Sequence, residues 1–207
     1  KECNMKYCAI VLAAGFSTRY GGQKKQDLEF HGKQIWLWSY DTAKSVVGED
    51  NIIAVGKDMP GGETRTKSVI IGLKALPADT DRVIILDAAR PLVTVRQIKE
   101  LLEHPAPSCT LVRPLVNTPI FRDGTYVNRS EMYDMLVPQA FDYKLLLEAY
   151  ESGRFEDMTD ETRVMFEYHG IKPTLIETEN NLYKVTYPGD LMIIESIYQR
   201  MKEEEKQ

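Results

Sequence analysis

Five short stretches of this chain combine residue types able to handle a polyanionic ligand. In AIVLAAGFSTRYGGQKKQ, from Ala9 to Gln26, an apolar run breaks into Ala13-Ala14-Gly15, and Arg19, Lys24 and Lys25 follow. Small side chains let a ligand lie against the main chain, and cations beside it suit a nucleoside triphosphate. An ordinary strand-to-helix turn with solvated charges fits the same pattern. In Gly61-Gly62-Glu63-Thr64-Arg65-Thr66-Lys67-Ser68, glycines lead into a helix start. The free N–H groups of such a start bind phosphate or polar base edges, although a plain capped helix has the same appearance. Asp87-Ala88-Ala89-Arg90-Pro91 directly follows an apolar run. A carboxylate at a strand's carboxyl end is placed to hold Mg2+ together with substrate phosphates; the simpler alternative is an Asp87–Arg90 ion pair. Thr159-Asp160-Glu161 reads as helix capping. In Asn180-Asn181-Leu182-Tyr183-Lys184-Val185-Thr186, Lys184 alternates with apolar neighbours. On a strand its ammonium would project to one face, either into a site or to solvent at an edge.

The elements that must position these residues follow from the pattern between them. Strand-like runs occur at Tyr7–Leu12, Asn51–Val55, Arg82–Leu86, Cys109–Val112 and Thr174–Glu177. Helix-like segments separate most of them, at Ile35–Val46, Thr66–Ala75, Val95–Leu102, Tyr143–Glu151 and Pro188–Lys206. This alternation predicts a Rossmann-like α/β fold, a mostly parallel sheet with helices on both faces. Ligands of such sheets sit outside the carboxyl ends of the strands, where the first three charged stretches fall. Between Pro114 and Pro138 the pattern changes: NTPIFRDGTYVNR reads as two extended pieces around Arg122-Asp123-Gly124-Thr125, and Asp-Gly is a hairpin signal. This arm has too little apolar content for a core. It folds over the pocket or reaches a neighbouring subunit. The whole chain, 1–207, is expected to form one domain with this arm protruding from it.

Composition narrows the function classes. The chain has 207 residues, 43% hydrophobic and 28% charged, ordinary values for a globular protein. A net charge of −5 argues against broad nucleic-acid or anionic-membrane binding. No apolar run approaches the roughly 20 residues of a membrane span, and no signal-peptide core opens the sequence. Cys8 and Cys109 lie in apolar runs, read as buried thiols, and point to a reducing cytoplasm. Met5-Lys6 is the expected natural start, with Lys1 to Asn4 as a leader. The first strand is not followed by G-x-G-x-x-G, and the P-loop pattern is absent, which argues against nicotinamide Rossmann domains and P-loop NTPases. His31, His104 and His169 have no companions suggesting a triad or metal site and read as surface or packing residues.

Taken in order, the stretches resemble the 2-C-methyl-D-erythritol 4-phosphate cytidylyltransferase family of nucleotidyltransferases, from about Cys8 to Glu195. The resemblance is carried by AIVLAAGFSTRY, the Lys25-Gln26 pair, RTKSVIIGL, DAARPL, VPQAF, MTDE and KVTYPGDL. It implies that Ala13, Ala14, Gly15, Gly62, Glu63 and Ser68 recognise CTP. Arg19, Lys25 and Lys184 would surround the α-phosphate and the leaving pyrophosphate. Asp87 would bind Mg2+, and Arg90 would shape the nucleotide or acceptor site. The arm would cross to a partner in a homodimer, where Thr118 and Arg129 would contact the acceptor's phosphate. The implied chemistry suits these residue types. A phosphate monoester is already anionic near neutral pH and needs no general base. The difficulty is charge, which positioned cations relieve, so no histidine is required.

Departures from the family pattern gather on the acceptor side. Asp-Thr at the start of the arm reads Asn117-Thr118, followed by Pro119-Ile120, and the arm is several residues shorter than is typical. Thr-Pro-Gln reads Val137-Pro138-Gln139, the Ala-Ser after the acidic pair reads Thr162-Arg163, and Asn-Ile-Lys reads Leu182-Tyr183-Lys184. Lys24 stands where the family has proline. The acceptor with the best support is 2-C-methyl-D-erythritol 4-phosphate. The alternatives are ribitol 5-phosphate or another polyol phosphate or phosphonate, and a nucleotide-binding paralogue without turnover.

Overall fold

The computed structural model describes residues 5–15 and 27–206. Its centre is a six-stranded sheet. In chain order the strands are β1 (Tyr7–Leu12), β4 (Ile52–Val55), β5 (Arg82–Asp87), β6 (Ser108–Pro114), β7 (Tyr133–Asp142) and β8 (Thr174–Glu177), while β2 (Glu29–Phe30) and β3 (Lys33–Gln34) form a separate short hairpin. Across the sheet the order is β4-β1-β5-β7-β6-β8. β1 pairs in parallel with β4 and β5, and β6 with β8, whereas β7 runs antiparallel between β5 and β6. Five of the six strands therefore point their carboxyl ends to one edge.

The helices are α1 (Ile35–Val47), α2 (Arg65–Ala75), α3 (Val95–Leu102), α4 (Tyr143–Glu151), α5 (Glu161–His169) and α6 (Asp190–Glu204). Their placement follows from the two-residue period of the strands. Ala9, Val11, Ile84 and Leu86 turn to one face and pack with Ala43 and Val47 of α1 and Ile98, Leu101 and Leu102 of α3. Cys8, Ile10, Val83 and Ile85 turn to the other, against Val69 and Leu73 of α2, Leu146 of α4 and Val164 of α5. Both faces of β1 and β5 are covered, so their sequences read as continuous apolar runs. Each Ile or Leu fully buried there contributes about 1.5–3 kcal/mol. A third cluster, with Phe30, Ile35, Leu92, Val185 and Ile194, docks α6 beside the carboxyl edge. Cys8 and Cys109 are buried free thiols, as expected.

Three expectations need correction. The region assigned wholly to the arm includes the first part of β7, one of the central strands of the sheet. Pro138 hid it, because proline has no N–H for a ladder. The structure accommodates it at a bulge: Thr110 pairs with Gln139 and Val112 with Met135, so Leu136, Val137 and Pro138 face the single residue Leu111. The arm proper is thus the shorter segment 115–132. Its expected hairpin is one antiparallel bridge, Ile120 to Tyr126, closed by a turn in which Thr125 donates to Asp123 Oδ1 at 2.9 Å and Gly124 has φ +87°. Lys184, finally, lies on an irregular segment rather than in a strand. Side chains satisfy much of that backbone: Arg90 donates to the Leu182 carbonyl, and the Asp190 carboxylate accepts from the Thr186 and Tyr187 amides.

Candidate active site

The carboxyl edge of the sheet gathers four of the charged stretches into two neighbouring groups. The first group surrounds the end of β1. The Ala13 amide donates to the Val55 carbonyl at 2.8 Å, so the chain leaving β1 continues alongside β4. The turn before α2 then folds back onto it. A Cβ built on Gly61 would lie 2.1 Å from Ala14 Cβ, and one on Gly62 would lie 2.3 Å from Lys67 Cβ. Any side chain at either position would force the turn away from Ala14 or from the helix. Ser68, almost fully buried, locks the arrangement: its Oγ accepts from the Gly62 amide and donates to the Thr64 carbonyl, both at 3.1 Å. Thr64 caps α2 by accepting from the Lys67 amide. Ala14, Gly61 and Gly62 thus form one small-residue surface at a helix N-terminus, backed by the buried Ala13 and Ser68, the kind of place that takes polar base edges or phosphate. Gly15 sits exposed at its rim. Glu63 points away from it into an exposed pair with Lys67 at 2.6 Å.

The second group is built on Asp87, the last residue of β5, which is only 8% exposed. Lys184 Nζ lies 2.7 Å from Asp87 Oδ2, and Arg90 Nε lies 3.5 Å from the same oxygen. The ion pair offered as the simpler reading of Asp87 and Arg90 is therefore present, and Lys184 joins it from 97 residues away. Two further contacts bring the lysine there. Arg90 Nη1 donates to the Leu182 carbonyl at 2.5 Å, and the Val185 amide donates to the Ala89 carbonyl at 2.9 Å. The segment carrying Lys184 is laid across the loop that follows β5. Burial pushes the Asp87 carboxyl up, but Lys184, Arg65 and Arg90 outweigh it and hold the group well below the usual carboxylate range. It is an anion at any physiological pH.

Beside Arg90 and Lys184 opens a cavity of about 340 Å3 whose wall includes Arg113, Asp134, Tyr187 and Asp190. Arg113 pairs with Asp134 at 2.7 Å and donates to Asn180 Oδ1 at 2.8 Å. The sequence offered no pattern for Arg113 and Asp134, because they meet the Lys184 segment only where β6 and β7 converge on it.

The remaining assigned residues stand elsewhere. Arg19 and Lys25 lie outside the described residues. Thr118 and Arg129 are exposed on the arm, where Arg129 Nη1 donates to the Val116 carbonyl at 2.6 Å. None of their described contacts joins them to Asp87 or Lys184 within the chain. Sequence reasoning also passed over Arg65 and Glu161. Arg65 is the first residue of α2 and pairs with Glu161, the first residue of α5, which has no exposed surface. The TDE stretch does cap a helix, as read: Asp160 accepts from the Thr162 and Arg163 amides. Its glutamate, however, is buried against the start of α2, which only the partner 96 residues away reveals.

Known proteins agree with this architecture. A family model described as 2-C-methyl-D-erythritol 4-phosphate cytidylyltransferase matches residues 7–200. A protein of that name from Chromobacterium violaceum is 32% identical, over 91% of this chain and 96% of its own length. One from Halalkalibacterium halodurans is also 32% identical, over 93% and 97%. Among solved structures, 4-diphosphocytidyl-2C-methyl-D-erythritol synthase from Anaerococcus prevotii superposes with a TM-score of 0.78 at 25% identity, covering 94% of this chain and 99% of that one. The bifunctional IspDF of Campylobacter jejuni also reaches 0.78, at 27% identity, over 90% of this chain and 53% of its own. The chain belongs to the 2-C-methyl-D-erythritol 4-phosphate cytidylyltransferase family, a family of nucleotidyltransferase enzymes.

Proposed function

We propose that this chain transfers CMP from CTP to 2-C-methyl-D-erythritol 4-phosphate and releases pyrophosphate. The observation that carries this reading is the ionised, buried Asp87 clasped by Lys184 next to a small-residue turn closed on Ala14. In the reaction an oxygen of the acceptor's phosphate forms a bond to the α-phosphorus of CTP, and the bond from that phosphorus to the bridging oxygen of pyrophosphate breaks. No proton has to be removed from the nucleophile. The Ala13–Gly15 and Gly62–Ser68 surface seats the nucleotide, while Lys184, with Arg19 and Lys25, faces the charge that grows on the transferring group. Arg90 fixes the Lys184 segment through Leu182 and so shapes the acceptor side.

The donor set fits Mg2+ of the kind that travels with a triphosphate. Both described cation contacts of Asp87 fall on Oδ2. No cluster of three or more His, Cys, Asp or Glu side chains able to hold a metal occurs among the described residues. A single ionised carboxylate suits an ion that takes its other ligands from phosphate and water. When bound, Mg2+ would neutralise charge on the triphosphate; Asp87 is the residue that would hold it.

The same reading includes a homodimer. The arm exposes Val116, Phe121 and Tyr126, at 81%, 60% and 77%, an apolar surface that a second copy would cover. Crossing to that copy would bring Thr118 and Arg129 to its acceptor. No described helix is long and apolar enough to cross a membrane, and the free buried thiols accord with a cytoplasmic location. The net negative charge speaks against nucleic acid as a partner. Family membership does not favour ribitol phosphate as acceptor or a paralogue without turnover. The test is pyrophosphate release with CTP, Mg2+ and a panel of acceptors. Methylerythritol phosphate should give the highest kcat/KM. A clear preference for ribitol 5-phosphate, or binding of CTP with no turnover on any acceptor, would overturn the proposal.

A further inference from the structure

Three consecutive residues at the start of α2 are tied to the segment that enters α5. Thr64 Oγ1 donates to the Glu156 carbonyl at 3.4 Å. Thr66 Oγ1 donates to the Met158 carbonyl at 2.9 Å and accepts from the Met158 amide at 2.6 Å. Between them, Arg65 Nη1 donates to Glu161 Oε1, the oxygen that also accepts from Tyr150 Oη at 3.3 Å. Glu161 has no exposed surface, and its Oε2 has no hydrogen-bond partner among the described residues. A half-satisfied buried carboxylate is a poor device for stability, since desolvation offsets most of what the pair gains. Its placement suggests another use. Arg65 is one of three cations whose charge acts on Asp87, yet its described ion pair is with Glu161 rather than with Asp87. The guanidinium is fastened to the carboxylate at the start of α5, while its charge reaches the one at the end of β5.

We propose that Glu161 is a positioning residue for the nucleotide site: it holds Arg65, and with it the Gly62–Ser68 turn, in fixed relation to Asp87. The turn seats the nucleotide's base end and Asp87 serves its phosphate end, so one bound nucleotide must meet both. This inference rests on the CTP reading above. Without the Glu161 charge, the pull of Asp87 on Arg65 is no longer balanced by a second carboxylate, and the middle attachment of the first turn of α2 weakens to a neutral hydrogen bond. The nucleotide then meets a site whose two ends are no longer in register.

The test is CTP affinity by calorimetry in the full chain, with KM and kcat from pyrophosphate release and a thermal melt for each variant. E161Q keeps size and hydrogen-bonding capacity but removes the charge. T66V loosens the same turn without leaving a buried ion, and it decides the question if E161Q does not fold. T80V is the control, because it removes a buried hydroxyl contact with Pro77 and Cys8 at the amino end of the sheet. E161Q and T66V should weaken CTP binding by about 10- to 100-fold, the scale of a misplaced binding group, with the loss in KM more than in kcat. T80V should bind CTP as the wild type does, even where its melting temperature falls as far. Wild-type affinity in T66V or in folded E161Q would overturn the inference while leaving the function standing. So would losses that track melting temperature alike in all three variants. Failure of the wild-type protein to bind CTP would overturn both.

Discussion

Replacing Lys184 with methionine removes one ammonium while keeping most of the side chain's length. Breaking a buried ion pair that has no other support typically costs about 3–5 kcal/mol, but two features of this site reduce that figure. The Lys184 side chain is 36% exposed, so water already screens much of the pair. Arg90, 3.5 Å from the same oxygen, and the nearby charge of Arg65 continue to compensate Asp87. The stability loss should therefore be about 1 kcal/mol or less, as for screened pairs, lowering the melting temperature by roughly 2–4 °C for a chain of this size. The rate should respond very differently. An ammonium facing the charge that develops on the transferring phosphoryl group is worth about 100- to 1,000-fold in kcat, or roughly 2.7–4 kcal/mol of barrier. Single-turnover pyrophosphate release, read beside a thermal melt, separates the two effects. K184M turning over within a few fold of wild type would refute the placement of Lys184 at the reacting phosphate. A melting temperature that collapses together with the rate would show that the lysine holds the loop rather than serving the chemistry.

Three further outcomes are expected. The folded pKa of Asp87 is depressed, so its stabilising contribution is complete above the unfolded value of about 3.9 and is lost as pH falls below it toward the folded value. Melting curves of the wild type should thus lose stability below about pH 4 more steeply than those of D87N. Turnover should show no Asp87 limb between pH 5 and 9; an acid limb near pH 6 would belong to the acceptor's phosphate, whose second pKa is about 6, and would persist when the three histidines are replaced. G61A places a Cβ 2.1 Å from Ala14 Cβ, a clash worth about 1–3 kcal/mol. It should appear chiefly as a raised KM for CTP, and an unchanged KM would exclude this turn from the nucleotide site. On the arm, F121D with Y126D should convert the proposed dimer to monomer in sedimentation velocity. A wild-type sedimentation profile in the double variant would place any dimer interface elsewhere.

Much of this was legible in the sequence because burial and chemistry left local marks. β1 and β5 are covered on both faces, so they read as apolar runs, and Asp87 stands out at the end of one of them. α3 and α4 occupy the spans expected from their periodicity. What escaped detection depends on contacts between distant parts of the chain. β7 carries Pro138 and the polar Gln139 and Asp134, and only the bulge opposite Leu111 makes that sequence acceptable in a central strand. Lys184 looked like a strand residue because it alternates with apolar neighbours, yet the backbone on either side of it, at Leu182 and Thr186, is held by side chains of Arg90 and Asp190. Glu161 resembled an ordinary first-turn glutamate, which is usually solvated. Nothing nearby in sequence announces that Arg65 will bury it.

In the proposed reaction one chemical step joins CMP to a phosphate oxygen of methylerythritol phosphate. The most direct measurement is the 31P spectrum of purified protein with CTP, Mg2+ and 2-C-methyl-D-erythritol 4-phosphate. Two mutually coupled diphosphate resonances, growing in step with free pyrophosphate, are the predicted result. CTP left intact, or CMP appearing while the acceptor's phosphate resonance stays unchanged, would contradict it.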